Sequence, residues 1–382
     1  MSTTMKAPSV MNFLEEEEYD DTGIATAEIE MVKEEAPTTI DDTPLAVKVE
    51  ARKAVSGVRV TEGNAELIYF LAKFPGATAE ALSIISARQD RAAIGHNLLP
   101  TVKGTEKKLR KLVSLGAVEA VRNPYTQAVQ YTATQLGIDA LWSFGYNAEH
   151  GTTLDKKSLT RLEHYRNIAL VAAQLTSPQG FFRDSLGIEP VALDQLVSEN
   201  EMRGAYEPVK HQLKEAAKRG SSSDYGRWRK TELEAALSEA GSGKVRWSDI
   251  VEAHPALLTL GQPQRTGAKT KAVHQSDLTV ILDGARTGTK ARNILVEVEL
   301  SKKSWEEYDS ILKTLKMELD HGFIVARVVY FTVGPQVETL LRKVNAKGSY
   351  GLFESGKLLV LPILDRNGEP VRSTNRVILG GI

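Results

Sequence analysis

The sequence predicts an α+β protein of several domains, and three observations predict it. Helical periods followed by two β-type runs occupy residues 57–145. A helical stretch fills 146–244. From 245 to 382, strands alternate with helices, the pattern of an α/β layer. At 382 residues the chain can bury two or three cores.

Composition narrows the class. Charged residues make up 25% and hydrophobic residues 42%, ordinary for a soluble globular protein. There is no cysteine, which excludes disulfides and cysteine-ligated zinc and suits a reducing cytoplasm. No run approaches the ~18 apolar residues of a membrane span. The opening MSTTMKAPSV lacks the basic start and apolar centre of a secretory signal. The net charge of −1 hides an asymmetry. Residues 1–50 carry thirteen acidic and three basic side chains, and the other 332 carry 36 acidic and 45 basic. Residues 1–56 read as an acidic disordered tail, because Glu15–Glu18, Asp20 and Asp21 repel each other. A tail of this kind on a basic body suits a nucleic-acid binder. A purely solubilising tail is the alternative.

The N-terminal elements follow from periodicity. Leu67, Phe70, Leu71 and Phe74 lie at helical spacing, and Pro75-Gly76 ends that helix. A second helix spans Ala79–Ser86, with Thr78 as cap. A third covers Thr101–Leu115, closed by Gly116, with Leu109, Leu112 and Val113 inward. Two β-type runs, Ala117–Val121 and Ala128–Tyr131, make a hairpin. Three helices and a hairpin form a winged helix-turn-helix, a DNA-binding architecture. Lys103, Lys107, Lys108, Arg110 and Lys111 then face outward as partners for double-stranded DNA. Arg122 and Tyr125 sit at the hairpin tip, where they can enter or flank a minor groove. A solvated helix face beside an ordinary hairpin is the competing reading.

The middle reads as a helical connector: Leu159–Leu175, Val191–Ser198 and Pro208–Arg219. Beyond it, Ser248–Leu257 is helical, and Val273–Leu282 and Asn293–Leu300 are strands. Ser304–Asp320 is a helix, Arg327–Val333 a strand, Gly334–Val344 a helix and Lys357–Ile363 a strand. One more strand is expected within Gln264–Ala272. The apolar run Ile311–Leu319 suits core burial or pairing in a homodimer.

Strand alternation puts Glu297 and Glu299 on one face, with Val296 and Val298 on the other. Two carboxylates in an apolar strand are costly unless they meet solvent, a cation or lysine. Asp277 can join them, and Asp277 with Glu297 can hold Mg²⁺. Lys303 or Lys302 can supply positive charge. His274 stands out because it lies three residues before Asp277. His164, His211 and His321 read as surface or helix-packing residues. Tyr165, Tyr206 and Tyr225 lack the histidines of a tyrosine relaxase.

These residues resemble the PD-(D/E)xK nuclease pattern, with Ser276-Asp277 at the PD step and Glu297-Val-Glu299 at (D/E)xK. The resemblance implies a restriction-endonuclease-like α/β domain over 245–382. Two positions depart from it: Ser276 replaces proline, and Glu299 stands where the catalytic lysine belongs. Lys303 can restore that charge. The hairpin unit, Leu196-Val-Ser-Glu-Asn-Glu-Met-Arg203, His274-x-x-Asp277, Val296-Glu-Val-Glu-Leu-Ser-Lys-Lys-Ser304 and Val328–Thr332 together resemble the replication-relaxation family of plasmids, phages and integrative elements. That resemblance covers roughly residues 60–345 and implies mobile-element DNA maintenance.

Two functions stay open. One is a Mg²⁺-dependent DNA endonuclease or nickase using Asp277, Glu297, Glu299 and Lys303. The other is a non-enzymatic repressor or replication accessory whose α/β domain dimerises or grips the backbone. An interaction scaffold is a third.

Overall fold

The computed structural model describes residues 47–48, 60–87, 100–124, 126–148, 153–154, 157–220, 224–241, 247–261, 273–282, 292–321 and 324–371. Apart from Val47 and Lys48, the expected acidic tail lies outside them, as do Tyr125 and Gln264–Ala272. The described residues mix helices with several sheets, in keeping with an α+β chain. No helix among them is long and apolar enough to cross a membrane.

Helix α1 (Glu62–Lys73) is buried around most of its circumference, with Leu67, Ile68, Phe70 and Leu71 inside the core. Pro75-Gly76 stops it, as the sequence requires, and Gly76 takes a left-handed φ of +85°. A two-residue strand, β2 (Ala77–Thr78), leads into α2 (Ala79–Ala87). Helix α3 (Val102–Ser114) starts at Thr101, whose hydroxyl accepts from the Gly104 N–H at 3.1 Å. Leu109 and Leu112 are fully buried, and Val113 packs at the core edge. Strands β3 (Val118–Arg122) and β4 (Val129–Ala133) form an antiparallel hairpin, flanked by β1 (Val47–Lys48) beside β3 and β2 beside β4. Thr134 then caps α4 (Gln135–Leu141).

Helix α5 (Leu159–Leu175) keeps the expected bounds, with Ser158 as cap. After a single helical turn, α6 (Arg183–Leu186), the chain departs from expectation. Residues Val191–Ser198 are not a helix. They form a 3₁₀ turn and then strand β5 (Leu196–Ser198), because Leu196 and Ser198 are claimed by a sheet partner far along the chain. Helix α7 runs over Glu199–Lys218, nine residues before its expected start. Its start is a capping box. Ser198 Oγ accepts from the Glu201 N–H, and Glu201 accepts from the Ser198 N–H at 2.7 Å. Pro208 sits inside α7 on an exposed face. Helices α8 (Tyr225–Gly241) and α9 (Trp247–Ala253) follow.

Strand β6 (Leu260–Gly261) pairs with β7 (Val273–His274) as a separate ribbon. The main sheet contains β8 (Leu278–Val280), β9 (Asn293–Glu299), β10 (Val325–Thr332) and β11 (Leu358–Pro362) in the order β11-β10-β9-β8-β5. The long strand expected over Val273–Leu282 is thus broken at 275–277, and the fifth strand of the sheet is β5. Strands β9, β10 and β11 are parallel, joined through α10 (Trp305–His321) and α11 (Gln336–Lys347). β8 is antiparallel to both of its neighbours.

Two hydrophobic cores lie on the two faces of this sheet. The first joins α1, α2, α3 and α5 to Leu278, Val280, Val296, Val298 and Phe331. The second gathers Leu295, Val328 and Tyr330 with Tyr308, Leu312 and Leu341 of the covering helices. The hairpin unit and the sheet therefore share one continuous core. Residues 44–382 form one compact unit.

Candidate nucleic-acid interface and buried carboxylate cluster

On α3 the apolar residues recur every three or four positions, so its lysines and arginine are left on the opposite face. Lys103, Lys107, Lys108, Arg110 and Lys111 are all exposed. Lys103, Lys107, Arg110 and Lys111 line one shallow depression together with Ser114. Among the described residues, one weak intrahelical pair engages this face, Arg110 with Glu106 at 3.5 Å. At the hairpin tip the Asn123 N–H donates to Ala128 O, and Asn123 Oδ1 accepts from the Thr126 N–H. That frame leaves Arg122 exposed, at 3.4 Å from Gln127 Oε1.

The second constellation lies at the carboxyl end of β9. The register pairs Leu278 with Val296, so Asp277 comes one step beyond, beside Glu297. Asp277 does more than extend the strand. Its Oδ2 accepts from the Val298 N–H at 2.6 Å, and its backbone carbonyl accepts from the Glu199 N–H at 3.1 Å. One side chain thus closes the ladder where the backbone of 275–277 turns away.

Glu297 and Glu299 share a face, as alternation requires, and that face is buried like the one that carries Val296 and Val298. The two glutamates are only 7% and 8% exposed. Neither carboxylate is left bare. His274 Nε2 lies 2.8 Å from Glu297 Oε1, and Lys303 Nζ lies 2.7 Å from Glu299 Oε2. On the other side, His164 Nε2 is 3.0 Å from Asp277 Oδ1, and Arg203 pairs with Glu199. Tyr308 and Tyr330 are buried beneath.

The electrostatics follow from this pairing. Burial alone would raise the Asp277 carboxyl, but the His164 charge, its hydrogen bond and the Val298 N–H hold it below the usual range. Burial would lower both imidazoles, yet Asp277 raises His164 and Glu297 raises His274. Burial pushes Glu299 up, partly offset by Lys303. It pushes Glu199 up too, partly offset by Arg203. Lys303 is driven well above its ordinary value, because Glu299 and Glu297 outweigh its burial.

The structure therefore brings Asp277, Glu297, Glu299 and Lys303 together. Both oxygens of Asp277 and the Oε1 of Glu297 already have protein partners. Among the described residues, no group of three or more His, Asp and Glu side chains is placed to hold a metal ion. The donors are engaged instead by two imidazoles, an ammonium and a backbone N–H.

Three partners escaped the sequence. His164 is no mere packing residue, because it reaches Asp277 across 113 positions. Nothing local signals that contact. Glu199 and Arg203 belong to the first turn of α7, and the Ser198-x-x-Glu201 box was the legible sign that a helix starts there. No protein-family model matches the chain, and no curated protein or solved structure matches it either.

Proposed function

We propose that this chain is a double-stranded-DNA-binding protein that does not cut. In this reading, residues 62–141 are a winged helix-turn-helix, α3 is its recognition helix and β3–β4 its wing. The five-stranded sheet with its helices is a restriction-endonuclease-like layer that keeps the carboxylates and has lost the metal. The observation that carries the reading is the exposed basic face of α3, five cationic side chains on thirteen residues with the hairpin beside it. The resemblance to the replication-relaxation family makes plasmid, phage or integrative-element DNA the proposed setting.

A fluorescence-anisotropy titration with labelled duplex at several salt concentrations tests it. Binding that weakens steeply with salt supports the reading, and no binding at low salt ends it. The second reading, a metal-dependent nickase, is favoured by one observation, the gathering of Asp277, Glu297 and Glu299 at a strand's carboxyl end. Nicking of supercoiled DNA with Mg²⁺ or Mn²⁺, lost in Asp277→Ala/Glu297→Ala, would establish it.

A further inference from the structure

The carboxylate cluster carries its own counter-charges. Four acids meet four bases: Glu199 with Arg203, Asp277 with His164, Glu297 with His274, and Glu299 with Lys303. The bases come from α5, α7, the β6–β7 ribbon and the segment between β9 and α10. The His164 and His274 bases reach their carboxylates from other elements, whereas Arg203 shares a helix with Glu199.

Lys303 differs from the other three bases. Its charge acts on Glu297 and Asp277 as well as on its own partner Glu299. Its position is fixed just before α10, where a Ser304–Glu307 capping box starts the helix. Its backbone N–H also donates to the Tyr308 hydroxyl at 3.5 Å. A flexible ammonium is thus delivered to a prepared place among three carboxylates. A divalent ion seated there would have to displace it and strip the imidazoles from Asp277 and Glu297. Seating it would cost the buried Lys303–Glu299 pair and both carboxylate–imidazole contacts.

We infer that the Lys303 ammonium stands in for a divalent cation, making the cluster a metal-independent charge lock that fastens α5 and the β6–β7 ribbon to the end of β9. The inference rests on the non-cutting reading above and names the group that took the metal's place.

The test uses the full chain without DNA, so its outcome is separate from that of the anisotropy titration. Mn²⁺ is titrated into the protein and followed by electron paramagnetic resonance, and the thermal midpoint is measured in EDTA and in millimolar Mg²⁺. The expected result is no bound Mn²⁺ and the same midpoint in both buffers. Lys303→Met should lower the midpoint by several degrees, and Lys303→Arg should restore most of the loss. Mn²⁺ binding that Asp277→Asn abolishes would overturn the inference, even if the protein still binds duplex. So would a Lys303→Met protein as stable as the parent. If Lys303→Met does not fold, the Mn²⁺ titration of the parent decides alone.

Discussion

His164 Nε2 stands 3.0 Å from Asp277 Oδ1, joining α5 to the entry of β8. The pair fixes the sign of a pH dependence. Asp277 is held low, so its contribution is complete at neutral pH and is lost only as pH falls through its depressed pKa. His164 and His274 are raised. Their contributions are complete below the ordinary histidine value of about 6.5 and are lost as pH rises through the raised values. The thermal midpoint should therefore decline as pH rises above the ordinary histidine value of about 6.5, with a shallower decline in His164→Gln/His274→Gln. A parent protein with no decline over that range contradicts the ionic pairing.

On α3, each cation that touches phosphate adds a term to the salt dependence. Lys107→Ala/Lys111→Ala should lower the slope of log affinity against log salt by about 2, with little change in thermal midpoint. Both side chains are exposed, so folding does not depend on them. An unchanged slope would place the DNA elsewhere.

Lys73 is only 5% exposed at the end of α1, and its Nζ lies 2.7 Å from Glu201 Oε1, 128 positions away. Burial would lower its pKa, but Glu201 raises it. The pair ties the hairpin unit to the capping box of α7. Lys73→Ala should cost about 1–3 kcal/mol in denaturant unfolding, a buried-pair loss discounted for the partly exposed Glu201. Lys73→Met should cost less, because it refills the volume. A neutral Lys73→Ala would show that the tie contributes nothing.

Gly76 and Gly145 both have positive φ, +85° and +77°, so alanine strains both. Their surroundings differ. A Cβ on Gly76 would lie 2.7 Å from Tyr165 Cβ, whereas nothing stands within 4 Å at Gly145. Gly145→Ala should cost about 1 kcal/mol, and Gly76→Ala clearly more, about 2–4 kcal/mol, by chemical denaturation. Equal costs would mean that α5 shifts freely away from the turn.

Much of this was legible where local signals are strong. The apolar run Leu159–Leu175 matches α5, and the run Asn293–Leu300 matches β9 within one residue. The basic face of α3 was legible because Leu109 and Leu112 fix what points inward. β5 was not, because a strand of three residues exists only through its pairing with β8, some 80 positions on. The start of α7 is hard to read because Pro208 resembles a first-turn proline. It lies mid-helix on an exposed face, and the capping box at Ser198 marks the true start. The carboxylates of β9 were readable from alternation, but their partners were not. His164 and Glu199 are brought in by tertiary packing alone.

The placement of β5 has a practical consequence for dividing the chain. A fragment cut at 245 would carry β8 to β11 but leave the outer side of β8 without its neighbour. Bare amide and carbonyl groups along that side invite strand exchange between molecules, so such a fragment should self-associate. A fragment beginning before Leu196 keeps its own cover for that side.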